Sequence, residues 1–377
     1  MAGLYIHIPF CVRKCLYCDF YSLPKRPGAA AHADGGSFIA ALAREMESLP
    51  EDFAPETIFI GGGTPTELSD RNFAALFDLL KRRVDLSRVT EWSCESNPGT
   101  LTREKIGIML GAGVNRVSLG VQSFDPKTLE FLGRIHSAEN AAEGFRLLRD
   151  CGMKNINLDL IYGVPGQGRG ALEESLQRLV ELGPEHVACY CLIFEDGTPL
   201  ADLKVRGIVK EVSDDEELGQ YEIVRGALGA AGFSHYEISN FAKPGFECRH
   251  NLLYWSGGEY IGLGPSAHSH WNGVRWGNVR DLAAYCRNLE AGQSTRAFEE
   301  KLDAEAKARE TLVMSLRQIR GVGREEFRAA TGFDYAELCR DQLTWLRREG
   351  LIDDSGDRLR LTPRGLFVSD GIFAELV

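Results

Sequence analysis

Cys11-Val-Arg-Lys-Cys15-Leu-Tyr-Cys18 follows directly on the apolar run LYIHIPF. On a loop leaving a short strand, three cysteines at this C-x3-C-x2-C spacing can direct their thiolates at one metal centre. Thiolates are soft ligands, so the candidates are iron–sulfur clusters and zinc. Structural zinc usually takes four protein ligands, and no nearby residue is an obvious fourth. Position 20, where a neighbouring cysteine could sit, is Phe20. A zinc knot and ordinary buried thiols are the plainer alternatives. The spacing and the softness of the ligands favour a four-iron cubane held by three cysteines, with one iron open.

Around this stretch the chain alternates strands and helices. Residues 3–8 alternate and are rich in branched and aromatic side chains, which predicts a first strand. The run 24–36, PKRPGAAAHADGG, is dense in breakers and predicts a mobile loop that could act as a lid. Apolar spacing across Phe38, Leu42 and Met46 predicts a helix. ETIFIGGG, TEWSCES, VNRVSLGVQS, KNINLDLIYG and HVACYCLIF predict five more strands. Helices are expected from Ser69 (its N-cap) to Arg83, from Thr102 to about 110, and near 137–150, 171–182 and 214–231. Six strand–helix units predict an α/β fold, a partial (β/α)6 TIM-like barrel whose chemistry sits on loops leaving the C-terminal strand ends. The cysteine loop leaves the first of these strands.

Beyond Gly232 the rhythm stops. The expected division is a core over 1–235, an irregular aromatic and glycine-rich extension over 236–300, and a small C-terminal domain over 301–377. In that domain 303–319 and 334–349 predict helices. LIDDSGDRLRLTPRG predicts a two-stranded wing, and a last helix runs to Val377, together a winged-helix-like pattern. Such domains can bind DNA, but from Arg324 onward there are 8 arginines, no lysine and 11 acidic residues.

The whole chain of 377 residues carries a net charge of −11, which argues against a broad footprint for nucleic acid and leaves a local basic patch open. The other seven cysteines (Cys94, Cys151, Cys189, Cys191, Cys248, Cys286, Cys339) show no framework spacing, which suits reduced thiols. With no secretory pattern and no apolar stretch of membrane-spanning length, the expected address is cytoplasmic.

Gly61-Gly62-Gly63-Thr64-Pro65 ends the second predicted strand. Such a run serves a tight turn or lets backbone groups approach a small polar ligand. Polar residues also recur at successive strand ends: Glu95, Gln122, Arg134 and Asp159. Singly each is more often a cap or an internal ion pair; their shared place at the mouth marks them as candidates.

The cysteine spacing resembles the signature of the radical S-adenosylmethionine superfamily. That resemblance implies a 4Fe-4S cluster on Cys11, Cys15 and Cys18. S-adenosylmethionine would chelate the open iron, and one electron from the cluster would cleave its sulfonium to a 5′-deoxyadenosyl radical. YIHIPFCVRKCLYCDF, GGGTP, SLGVQSF, GRIHS and LDLIYGVPGQ further resemble the family of oxygen-independent coproporphyrinogen III oxidase and its haem-chaperone relatives, over nearly the whole chain. By this resemblance Tyr5, Gly62, Gly63, Thr64, Glu95, Gln122, Arg134, Asp159 and Ile161 match cofactor-contacting positions. Glu95 and Asp159 would accept from cofactor hydroxyls or its ammonium, and Arg134 would pair with the methionyl carboxylate. Cys191 departs from the family pattern, so no contact is carried over there.

Two features separate the branches. The oxidase continues its motif as C-x-C, whereas this chain has Cys18-Asp19-Phe20, and His250-Asn-Leu-Leu-Tyr254-Trp255 reproduces the chaperone branch's H-N-x-x-Y-W segment. His250 is the candidate haem-iron ligand, Tyr254 and Trp255 offer flat apolar faces for a porphyrin, and His268 and His270 are weaker candidates. The resemblance therefore implies a haem-binding and haem-transferring protein. Its expected partners are haem and haem-accepting proteins such as membrane-bound respiratory enzymes, with a homodimer as one arrangement. The alternative it carries is oxidative decarboxylation of coproporphyrinogen III to protoporphyrinogen IX, so the sequence leaves enzyme and carrier both open. A radical enzyme acting on RNA is disfavoured by the acidic balance.

Overall fold

A computed structural model describes residues 2–26 and 35–377. The six expected strands are Ala2–Ile8, Thr57–Gly62, Glu91–Ser96, Arg116–Gln122, Asn155–Tyr162 and His186–Cys191, and they lie side by side in chain order, all parallel. Parallel neighbours require crossovers. These are the predicted helices Gly35–Glu45, Asp70–Arg83, Arg103–Ala112, Ala138–Asp150 and Arg169–Leu182, with Asp214–Ala230 following the sixth strand. Local chemistry sets their starts: Ser69, Thr102, Ser137 and Ser213 each accept an N–H of the first turn.

The two faces of these strands differ in kind. Leu4, Ile6, Ile58, Ile60, Trp92, Cys94, Val117, Leu119, Ile156 and Leu158 are buried against the helices, each Leu or Ile worth about 1.5–3 kcal/mol relative to exposure. The alternating inward positions are mostly polar or glycine: Tyr5 and His7, Thr57 and Gly61, Glu91, Ser93 and Glu95, Arg116 and Ser118, Asn157 and Asp159, His186 and Tyr190. A TIM-type barrel normally fills its interior with branched aliphatics. Here those positions carry hydrogen-bonding and charged groups instead.

The extension is more regular than the sequence suggests. Ser234–Glu237 and Asn240–Ala242 add antiparallel to the edge beyond the sixth strand. Glu259–Leu263 pairs parallel with the first strand, and His268–Trp271, Val274–Asn278 and Arg296–Glu300 continue outward, giving a twelve-stranded open sheet. Glycine density hid these strands, because glycine lowers strand propensity even where pairing partners compensate. Glu45 staples the extension to the core: buried, it accepts from Gly264 N (2.7 Å), Asn278 Nδ2 (2.6 Å), Tyr285 Oη (2.5 Å) and Thr295 Oγ1 (3.2 Å).

In the C-terminal region the first helix is Ala304–Leu316, and Arg324–Thr331 is a helix the sequence reading did not anticipate. The helix expected over 334–349 divides into Tyr335–Leu338 and Arg340–Arg348. The wing strands Ile352–Asp353 and Arg358–Leu361 gain a third partner, Val322–Gly323. Of the expected lid, Leu23–Pro24 pairs parallel with Phe10–Cys11 and Gly35 already opens a helix; 27–34 lie outside the described residues.

Candidate functional site

The cysteine loop is pinned at the C-terminal end of the first strand. Leu23 N donates to Pro9 O (2.8 Å), Lys25 N to Cys11 O (2.9 Å), Leu16 N to Leu132 O (3.2 Å) and Leu200 N to Leu16 O (3.0 Å). Cys11, Cys15 and Cys18 are all partly accessible. Burial pushes the Cys18 thiol up to about 12, with Cys15 and then Cys11 adding to the rise; burial also raises Cys11. Neighbouring thiols that resist ionisation together are matched by a cationic metal centre, which deprotonates its sulfur ligands outright. Among the described residues no three His, Cys, Asp or Glu side chains are grouped as a single ion requires. A cubane sets fewer demands, since each sulfur takes a different iron, and the loop's chemistry fits it.

The glycine run crosses beneath this loop. Gly63 N donates to Ile8 O (2.8 Å) and Thr64 N to Phe10 O (2.6 Å). A Cβ at Gly63 would lie 2.5 Å from Phe10 O and 2.6 Å from Ile8 O, and one at Gly62 would strike the His7 ring. Gly62 also has φ +96°, where a side chain is strained. Gly62 N donates to Glu95 Oε2 (3.1 Å), and Thr64 Oγ1 sits 3.5 Å from Cys11 Sγ. His7 is held between Tyr5 Oη (3.0 Å) and Tyr21 O (2.8 Å).

Arg134 reaches the same place from beyond the fourth strand. Its Nη1 donates to Cys15 Sγ (3.2 Å) and its Nη2 to Asn97 Oδ1 (2.5 Å) and Gly120 O (2.6 Å), while Nε is buried without a partner. Asn97 Nδ2 donates in turn to Thr64 Oγ1 (2.6 Å). Asn97, which the sequence reading did not single out, therefore joins the glycine run to the arginine. Gln122 has φ +66° at a register shift in the fourth strand, which turns its side chain toward Gly120. Ile161 packs with Leu132, Val164, Leu192 and Leu200 against Leu16 and Tyr17 of the cysteine loop.

Deeper in lie the carboxylates. Asp159 accepts from Asn157 Nδ2 (2.6 Å) and Ser118 Oγ (3.2 Å), yet burial lifts it to about 6. Burial first, and then Asp159, lift Glu95 to about 8. Tyr190 keeps 41% of its surface exposed, although burial and the carboxylates Asp159, Glu237 and Glu95 raise its hydroxyl. Arg116, 2% exposed, donates weakly to Ser93 Oγ (3.5 Å) and leaves Nε unpartnered. Ser118, Asn157, Arg116 and Tyr190 were also missed. Period-two polarity along three successive strands is the signal that would have found them.

The H-N-x-x-Y-W segment lies elsewhere. It forms the helix Arg249–Trp255, whose first N–H groups, on Arg249 and His250, donate to Glu91 (both 3.0 Å). Glu91 and Thr57 begin their strands, so this helix closes the N-terminal end of the sheet, opposite the cysteines. His250 is 1% exposed; Nδ1 bonds Thr57 Oγ1 (2.8 Å) and Nε2 bonds Tyr254 Oη (2.8 Å). Both nitrogens of this candidate ligand are therefore engaged within the chain. Tyr254 makes an edge-to-face contact with Tyr260, and the guanidinium of Arg317 lies 4.4 Å over one side of the Trp255 ring. His270 is likewise held at both nitrogens, by Gly258 O and Lys307.

Comparison with known proteins agrees with this geometry. The Radical SAM superfamily model matches residues 5–179 and the HemN C-terminal domain model residues 302–368. The chain is 37% identical to Heme chaperone HemW of Bacillus subtilis, covering 100% of this chain and 99% of that one. It is 36% identical to the protein of the same name from Mycobacterium tuberculosis (100% and 94%) and 35% identical to that from Escherichia coli (96% and 94%). The solved coproporphyrinogen III oxidase (HemN) of Escherichia coli, described as a radical SAM enzyme, superposes with a TM-score of 0.85 at 21% identity, covering 100% of this chain and 89% of that one, a likeness of fold. Among the described residues no helix is long and apolar enough to cross a membrane. By full-length identity above 30% to these relatives, and by its cysteine motif on a partial parallel barrel, the chain belongs to the HemW family of the radical SAM superfamily.

Proposed function

We propose that this protein is a cytoplasmic haem carrier, which binds haem and passes it to acceptor proteins such as membrane-bound respiratory enzymes. Full-length similarity to proteins named heme chaperones carries this reading, and Phe20 in place of a further cysteine accords with it. Cys11, Cys15 and Cys18 would hold a 4Fe-4S cluster, and S-adenosylmethionine, when bound to it, would supply one-electron chemistry. Tyr5, Gly62, Gly63, Thr64, Glu95, Gln122, Arg134, Asp159 and Ile161 would line the cofactor's place. In this arrangement the glycine run exposes backbone groups, Glu95 and Asp159 accept from ligand donors, and Arg134 fixes the loop. The division at 235 and 300 and the pairing of two copies belong to the same proposal.

The test is anaerobic reconstitution with iron and sulfide, followed by parallel haem titration and coproporphyrinogen conversion assays. Haem uptake near one per chain without protoporphyrinogen formation is expected. Conversion of the porphyrinogen without haem uptake would overturn the carrier reading in favour of the oxidase.

A further inference from the structure

Beside the cysteine loop, a groove of about 490 Å³ opens toward the segment after Phe131, within the usual range for small-ligand sites. Leu16, Leu129 and Ile135 give it apolar walls, Arg13 and His136 line it, and a smaller cavity sharing Arg13, Ile135 and His136 continues to Cys15 and Thr64. Ile135 is 58% exposed and lines both cavities.

Among the described histidines, His136 is the one whose ring lines this groove. Nε2 lies 3.0 Å from Val121 O. A carbonyl only accepts, so Nε2 carries the proton and Nδ1 holds a lone pair. Among the described residues Nδ1 has no hydrogen-bond partner, and it is absent from the fully enclosed unpartnered atoms. His7, His186, His250 and His270 each use both nitrogens. His235, like His136, has Nε2 on a backbone carbonyl (Ile238 O, 3.1 Å), but it stacks on Phe241 at 4.2 Å and does not line the groove; exposed His268 has no hydrogen bond among the described residues that would fix its tautomer. A ring whose N–H is tied to a backbone carbonyl is the usual arrangement behind a metal-ligating histidine. Arg13, exposed and without an ion pair among the described residues, supplies the cation that a propionate requires. Of the acidic residues on the groove, Glu139 is paired with Arg178 at 3.7 Å, while Glu130 is solvent-exposed.

We propose that haem lies in this groove, with Nδ1 of His136 on its iron and Arg13 on a propionate. This rests on the haem-carrier reading above and assigns the ligand to the cluster side of the barrel, away from His250. The test compares the reconstituted full-length chain with His136→Gln, His136→Gly, His250→Ala and Arg13→Ala, each titrated with haem while optical and electron paramagnetic resonance spectra are recorded. Glutamine retains an N–H for Val121 O without an imidazole nitrogen, so it keeps the local fold. His136→Gln is expected to lose the nitrogen-ligand signature and weaken haem binding about tenfold or more. Added imidazole should restore the signature in His136→Gly, and Arg13→Ala should weaken binding with an unchanged iron spectrum. Spectra and affinity in His136→Gln equal to wild type would overturn this site while leaving the carrier reading intact. Absence of haem binding by the wild-type chain would overturn both.

Discussion

Arg134 donates from Nη1 to the sulfur of Cys15 at 3.2 Å, across 119 positions of sequence. With its second nitrogen on Asn97 and Gly120 O, it ties the cysteine loop to the ends of the third and fourth strands. Arg134→Lys replaces a planar fork with a point charge and cannot serve these acceptors together. Iron content should fall only partly, while S-adenosylmethionine affinity measured by calorimetry should drop about tenfold or more, the scale of losing a supporting contact. Wild-type affinity in the lysine variant would remove Arg134 from the site.

Gly62 is constrained twice, by φ +96° and by the His7 ring where a Cβ would sit. Gly62→Ala should cost about 1–2 kcal/mol for the left-handed backbone alone, with more for displacing the ring. Chemical denaturation of the apo chain measures this. Gly99→Ala, at φ +85° with open space around it, isolates the backbone part and should be milder. Equal losses would mean that the close approach to His7 carries no energy.

Glu95 retains its proton to about pH 8 because burial and Asp159 disfavour its charge. With the folded value raised, its contribution to stability is full below the ordinary carboxylate range and is lost as pH rises toward 8. The apo chain should therefore weaken over that window. A ligand presenting an ammonium should bind more tightly as pH rises through the same window, because the ionised carboxylate attracts it. Glu95→Gln should flatten both trends; pH profiles parallel to wild type would refute the assignment.

His250 bridges Thr57 and Tyr254 inside the closed end of the sheet. His250→Ala leaves the buried Thr57 hydroxyl and the half-buried Tyr254 hydroxyl without this partner and should cost about 2–4 kcal/mol. Thermal and denaturant unfolding would register this, while iron–sulfur absorbance stays as in wild type. Unchanged stability would contradict a sealing role.

The six core strands, their helices and the cysteine loop could be read from the chain because each rests on local pattern. Period-two and period-3.6 apolar spacing, serine and threonine caps, and a ligand triplet eight residues long are all short-range. Strand-end residues such as Glu95 and Asp159 followed from that order, since a parallel sheet gathers its C-terminal ends. What needed the tertiary structure was every property that depends on distant partners. The glycine-rich extension became strands only because the first and sixth core strands offered free edges. Asn97 gained its meaning from Arg134 and Thr64. His250 and His136 look alike as isolated letters, yet packing encloses one between two hydroxyls and leaves the other with a lone pair beside a groove. Sequence sets which atoms a side chain has; which of them remain unbonded is decided by neighbours brought close in folding.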